Sequence, residues 1–165
     1  YRDAFNPSTG EVIAKVPASL PDELNSAVAA AREAFPAWAD TPVYKRVSVL
    51  FRMKALVDKH LDELVRLLCI EQGKTWNESL GDVLKAQEVI EFACGMPQLL
   101  KGESLMNVSS QYDTVQYLEP VGVFLGLAPW NFPAMIPHGW MIPRSRKHFR
   151  AQGRQCRAAI GPALH

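Results

Sequence analysis

The stretch that most constrains this chain is residues 121–137, VGVFLGLAPWNFPAMIP. Its first eight residues are apolar or Gly and lie between Pro120 and Pro129. Such a continuous run has the composition of a strand covered on both faces, as in a parallel sheet. Pro129 and Pro133 stiffen the loop that follows, and a short helix is expected after Pro133. Strand, loop and helix in that order describe the first βα unit of an open α/β sheet. Ligands of such sheets bind at the carboxyl ends of the strands. Asn131 falls at that place. An amide N–H held at a dry strand end can stabilise a developing oxyanion, an effect of ~3–4 kcal/mol. The competing role is local, an Asn satisfying the backbone of a tight turn. Trp130 can wall a flat ligand. No G-x-G-x-x-G is present, so the usual dinucleotide fingerprint is missing.

Upstream, the pattern is mostly helical. "NPSTGEVIAKVP" predicts a turn and a short strand, with Val12, Ala14 and Val16 alternating. A helix is expected from Ser19, its cap, with Leu24, Val28, Ala31 and Phe35 as its apolar stripe; Pro36 should end or kink it. Further helices are predicted over 42–60, 61–72 with a stop at Gly73, and 76–100 with a break at Pro97. The fourth carries Val83, Ala86, Ile90 and Ala93 on one side. "YDTVQYLEP" alternates as a strand does.

The composition, 48% hydrophobic and 21% charged, fits a folded chain rather than a disordered one. No apolar run approaches the ~20 residues of a membrane span. Cys69, Cys94 and Cys156 make no C-x-x-C, and the four His form no ligand pattern with them, so no metal site is expected. Cys69 and Cys94 read as small buried hydrophobes on helices. This cysteine usage suits a reducing, cytoplasmic compartment. No signal peptide is visible at the start, and a first residue of Tyr1 suggests a processed product or a piece of a longer protein.

Residues 120–137, "PVGVFLGLAPWNFPAMIP", resemble the aldehyde dehydrogenase superfamily, whose members carry a P-[WF]-N-F-P turn after the first strand of their NAD-binding domain. "NPSTGEVIAKVP", "AFPAWAD" and "LCIEQGKT" agree with it. "VIEFACGMPQLLKGES" and "FPAMIP" resemble the CoA-acylating methylmalonate-semialdehyde dehydrogenase branch. The likeness covers residues 1–143. It implies an α/β fold class: an N-terminal helical portion and the first, incomplete part of the NAD-binding sheet, with 112–119 a strand of the oligomerisation region. It further implies NAD as cofactor, CoA as co-substrate, a small aldehyde or semialdehyde as substrate, and homo-oligomers. Residue by residue, Asn131 matches the family's oxyanion-holding Asn. Ala128 and Trp130 match positions lining the adenosine side of NAD. Lys85, in "GDVLKA", matches a basic residue that contacts the substrate carboxylate in the branch, although Lys lacks the bidentate fork of Arg. A solvated helix residue is the competing role for Lys85. In the family a thiolate attacks the aldehyde, hydride passes to NAD, and CoA takes the acyl group from the resulting thioester. That nucleophilic Cys lies far downstream of the turn, and none of the three cysteines here matches it. The chain alone is therefore expected to be inactive.

Charge changes abruptly at residue 144. Residues 1–143 hold 12 Lys and Arg against 17 Asp and Glu, a net of −5; residues 144–165 hold six Lys and Arg and no acid. A frameshift accounts for this. Permitted codons for residues 144–155, read one nucleotide later, translate as A-R-G-N-T-F-V-L-K-A-A. The family continues with a strand close to G-N-T-F-V-L-K, whose Lys contacts the NAD ribose. A GC-rich shifted frame also yields Arg, Ala, Gly and Pro. Other readings are a non-CoA aldehyde dehydrogenase, a basic module binding phosphates nonspecifically, and an association module built from unpaired sheet edges. With Phe149 alone as an aromatic in the tail, no specific nucleic-acid partner is expected. The tail from residue 144 is expected to be poorly organised.

Overall fold

The computed structural model describes residues 1–140, 146–153 and 157–158, with Trp140 and the later stretches as backbone alone. The chain divides into two compact units, Tyr1–Met96 with Gly122–Ile142, and Pro97–Val121 with Pro143–His165.

The first unit opens with an antiparallel pair, β1 (Arg2–Phe5) and β2 (Val12–Val16). The predicted turn joins them: Ser8 N–H donates to Asn6 Oδ1 at 2.9 Å and Gly10 N–H to the Asn6 carbonyl at 2.8 Å. Helix α1 (Pro21–Asp40) starts after Leu20, not Ser19, and Leu20 N–H donates to Glu23 Oε2. Pro36 neither ends it nor stops it short of Asp40. The carbonyl that loses its donor there, that of Arg32, lies on an exposed face where water can serve it.

Three helices hold the core: α2 (Val43–Lys59), α3 (Leu61–Gln72) and α4 (Trp76–Cys94). Val57, Val65, Leu68, Val83 and Ile90 form the buried cluster, and Cys69 and Cys94 pack against it, as expected of them. Burial pushes the Cys94 thiol up. Gly73 closes α3 in the left-handed region, at φ 66. Thr75 caps α4, its Oγ1 accepting from Glu78 N–H while the Glu78 carboxylate accepts from Thr75 N–H, a reciprocal box. The predicted single helix over 76–100 stops at Cys94, and a four-residue turn α5 (Met96–Leu99) follows. Lys54 ties α2 to α4 by reaching Glu91 at 3.1 Å.

Residues 121–127, expected as a buried strand, are not a strand. A strand buried on two faces needs hydrogen-bonding neighbours. Among the described residues none lies beside this segment, and Leu127 stays 78% exposed. The helix expected after Pro133 is present as α6 (Met135–Trp140).

The second unit is a four-stranded antiparallel sheet in the order β3 (Ser104–Ser109), β4 (Tyr112–Glu119), β5 (Arg146–Gly153), β6 (Arg157–Ala158). Strand β4 was legible in the sequence, and β3 was not. Of the tail, the described stretch β5 pairs with β4 along its whole length, from Tyr112 opposite Gly153 to Glu119 opposite Arg146, while residues 144–145, 154–156 and 159–165 lie outside the described residues. The free backbone groups of β4's second edge supply the template for it. Cys156 lies outside the described residues. Among the described residues, no helix is long and apolar enough to cross a membrane.

Candidate functional site around the Asn131 turn

The loop 129–134 is held by two charged side chains from the helical core. Lys74 follows the helix-stopping Gly73, and its ammonium donates to the carbonyl oxygen of Asn131. The same ammonium sits 4.7 Å from the centre of the Phe132 ring, within cation–π range. Asp82 comes from α4 and is only 2% exposed. Its Oδ1 accepts from Met135 N–H at 2.9 Å and its Oδ2 from Ala134 N–H at 3.5 Å. These are donors of the first turn of α6, which have no partner within the helix. Lys74 and Asp82 face each other at 3.8 Å. Beneath them, Cys69 Sγ–H donates to the buried Ser79 hydroxyl at 3.3 Å. His138 closes the far side, its Nδ1–H donating to the Ala134 carbonyl oxygen.

Asn131 itself is exposed, and among the described residues its side-chain amide makes no hydrogen bond. The turn is stabilised through its backbone, not by the Asn side chain. Trp130 is 82% exposed and Ala128 is exposed beside it, so together they leave an open apolar strip next to the turn. Lys85 makes none of the hydrogen bonds or ion pairs of this cluster. It is on α4 with its side chain 60% exposed, bonded to Glu88 Oε2 at 2.6 Å. Among the described residues no cluster of His, Cys, Asp or Glu could hold a metal ion.

Sequence reasoning assigned no role to Lys74 or Asp82. A signal for Asp82 was present. Ser79 and Asp82 fall at helical spacing on the stripe of Val83, Ala86 and Ile90, and a carboxylate on a buried stripe demands a partner.

The structure is thus an α/β chain whose helical core presents an Asn-bearing, proline-framed turn beside an apolar strip. The sequence profile of the Aldehyde dehydrogenase family matches residues 2–144, and the chain belongs to that family. It is 47% identical over 143 residues to the acylating, mitochondrial methylmalonate-semialdehyde dehydrogenase of Arabidopsis thaliana, covering 87% of this chain and 23% of that one. It is 46% identical over 138 residues to malonate-semialdehyde dehydrogenase 3 of Geobacillus kaustophilus, covering 84% and 28%. Among solved structures, the methylmalonate-semialdehyde dehydrogenase of Oceanimonas doudoroffii superposes with a TM-score of 0.81 at 41% identity, over 86% of this chain and 29% of that one. A Sinorhizobium meliloti protein solved with NAD gives a TM-score of 0.78 at 36% identity, over 83% and 28%. The chain thus spans about a quarter of the length of its relatives.

Proposed function

We propose that this chain is the amino-terminal part of an NAD-linked, CoA-acylating dehydrogenase of malonate or methylmalonate semialdehyde, and that by itself it does not oxidise aldehydes. One observation carries the catalytic part of this reading: among the described residues the Asn131 side-chain amide makes no hydrogen bond, while the backbone around it is tied down. An amide in that state can give its N–H to the oxygen that becomes negative as a nucleophile adds to an aldehyde. An Asn serving only its own turn would have its amide engaged locally. The relatives' names support the substrate class, and the neighbour solved with NAD supports the cofactor.

The residues present fit NAD in one respect. Ala128 is small and Trp130 is an open flat surface, so the strip beside the turn can take a planar group without displacing a buried side chain. When bound, NAD supplies the hydride acceptor. The protein's part is to orient the aldehyde oxygen at Asn131 and to keep the apolar strip free for the cofactor. Lys85 is the proposed contact for the substrate carboxylate, which would take over the ammonium now paired with Glu88.

A chimera tests this. Residues 1–140 of this chain would replace the corresponding part of the Geobacillus kaustophilus enzyme, and NADH formation from malonate semialdehyde would be followed with and without CoA. CoA-dependent turnover is expected of the chimera, and none of the 165-residue chain alone. Asn131→Ala in the chimera should lower kcat by about 10²–10³-fold. Lys85→Met should raise KM for the semialdehyde and leave uncharged aldehydes unaffected. Turnover without CoA would favour a non-acylating member, and NADH formation by the chain alone would refute its inactivity.

The frameshift reading of residues 144–165 belongs to the same proposal. The family match stops at residue 144, where the charge also changes sign. Sequencing the coding DNA from the codon of Ala134 onward decides it. A one-base correction should restore G-N-T-F-V-L-K and an open frame with a later Cys. Codons that cannot be read this way would exclude it.

A further inference from the structure

We propose that Lys74 and Asp82 are positioning residues for Asn131, an inference that rests on the oxyanion role given to Asn131 above. Together they clamp the loop at both ends. The Lys74 ammonium holds the Asn131 carbonyl, and the Asp82 carboxylate holds the amides of Ala134 and Met135. Only Phe132 and Pro133 lie between the two anchor points. The Phe132 ring is packed against the same ammonium, and the Pro133 ring fixes its own φ. No residue between the anchors is left with free rotation on both sides.

The choice of residues argues for geometry over stability. A buried ion pair contributes little net stability compared with apolar residues of the same volume, because both groups must leave water. What it supplies is direction. A carbonyl accepts from an ammonium, and two amides donate to a carboxylate, at fixed distances that apolar packing does not set. The anchors also come from the best-held part of the unit. Asp82 shares its helix with the core residues Val83 and Ile90, and Lys74 adjoins the close of α3. Catalytic donors need placement within about 0.5 Å, and a displacement of about 1 Å can cost ~100-fold in rate. An exposed loop with an uncommitted amide reaches such accuracy only if its backbone is held from outside.

The test uses the ¹³C,¹⁵N-labelled 165-residue chain with Lys74→Met, Lys74→Arg and Asp82→Asn, following the backbone carbonyl resonances and amide hydrogen exchange residue by residue. Lys74→Met should shift the Asn131 carbonyl resonance, because that oxygen loses its donor, and Lys74→Arg should restore it. Asp82→Asn should speed exchange at Ala134 and Met135 by about tenfold or more, the weight of one charge-assisted hydrogen bond. Exchange at Val83 and Ile90 should stay as in the wild type. An Asn131 carbonyl resonance unmoved by Lys74→Met, or a rise in exchange along α4 equal to that at Ala134 and Met135, would overturn the clamp. Should Asp82→Asn fail to fold, the two Lys74 variants still decide. In the chimera, Lys74→Met should lower kcat and leave KM for the semialdehyde unchanged; an unchanged kcat would overturn the positioning role. A wild-type chimera without activity would instead overturn the reaction assigned to the chain, and the exchange pattern would then settle the clamp independently.

Discussion

At the scale of single residues, two glycines in different surroundings ask for opposite outcomes. Gly73 closes α3 at φ 66, and a Cβ there would meet Pro7 Cγ at 2.9 Å. Ala at this position must enter the left-handed region, at roughly 1–2 kcal/mol, and also push back the ring. Gly81 lies on the exposed face of α4, and its Cβ would meet nothing within 4 Å. There Ala removes freedom from the unfolded chain and should stabilise by about 0.4–1 kcal/mol. Urea midpoints of the two variants should therefore move in opposite directions from wild type. Because Lys74 follows Gly73 directly, the Gly73→Ala variant should also shift the Asn131 carbonyl resonance.

At the scale of elements, the start of α4 carries a pH dependence whose sign follows from the Thr75–Glu78 box. The Thr75 hydroxyl and its backbone N–H hold the Glu78 carboxyl below its ordinary value. That contribution is present above the ordinary carboxylate range and is lost as pH falls through the lowered value. The difference in stability between wild type and Glu78→Gln should accordingly shrink on acidification below about pH 4. Lys54 behaves in the opposite sense. Its hydrogen bonds with Asp58 and Glu91 raise its pKa, so the contribution from its own protonation is present at neutral pH and is lost as pH rises past the raised value. A melting series from pH 3 to 8 covers the acid limb, on which Glu78→Gln should differ from wild type. Elements of this kind were legible because their signals are local. The Gly73 stop and the stripes of α2–α4 depend on neighbours a few residues away. The interior Pro36, the absent strand at 121–127 and the β4–β5 pairing depend on what else surrounds a segment. For the site, sequence pointed to the turn and to Asn131. It did not show that Lys74 and Asp82 hold it, since 57 residues separate Lys74 from Asn131 in the chain.

At the scale of the whole molecule, apolar surface outruns what the described residues cover. Val123, Phe124 and Leu125 meet Val28 and Phe35 of α1 around a concavity of about 440 Å³, yet Leu125 and Leu127 remain largely exposed. In the other unit, β3 is exposed along its full length, with Leu105, Met106 and Val108 facing water on a sheet edge. An edge strand with unpaired backbone groups and apolar side chains is a template for another strand. The 165-residue chain should therefore self-associate as concentration rises, and the two surfaces can be told apart. Met106→Lys places a charge on the edge strand, whereas Leu125→Lys with Leu127→Lys places charges on the apolar segment. Sedimentation velocity over a concentration series reads the result. If the edge is the contact, Met106→Lys should return the chain to monomer and the double substitution should leave the association unchanged. If the apolar segment is the contact, the double substitution should be the one that disperses it. A chain that remains monomeric at every concentration would mean that neither surface pairs with its own copy.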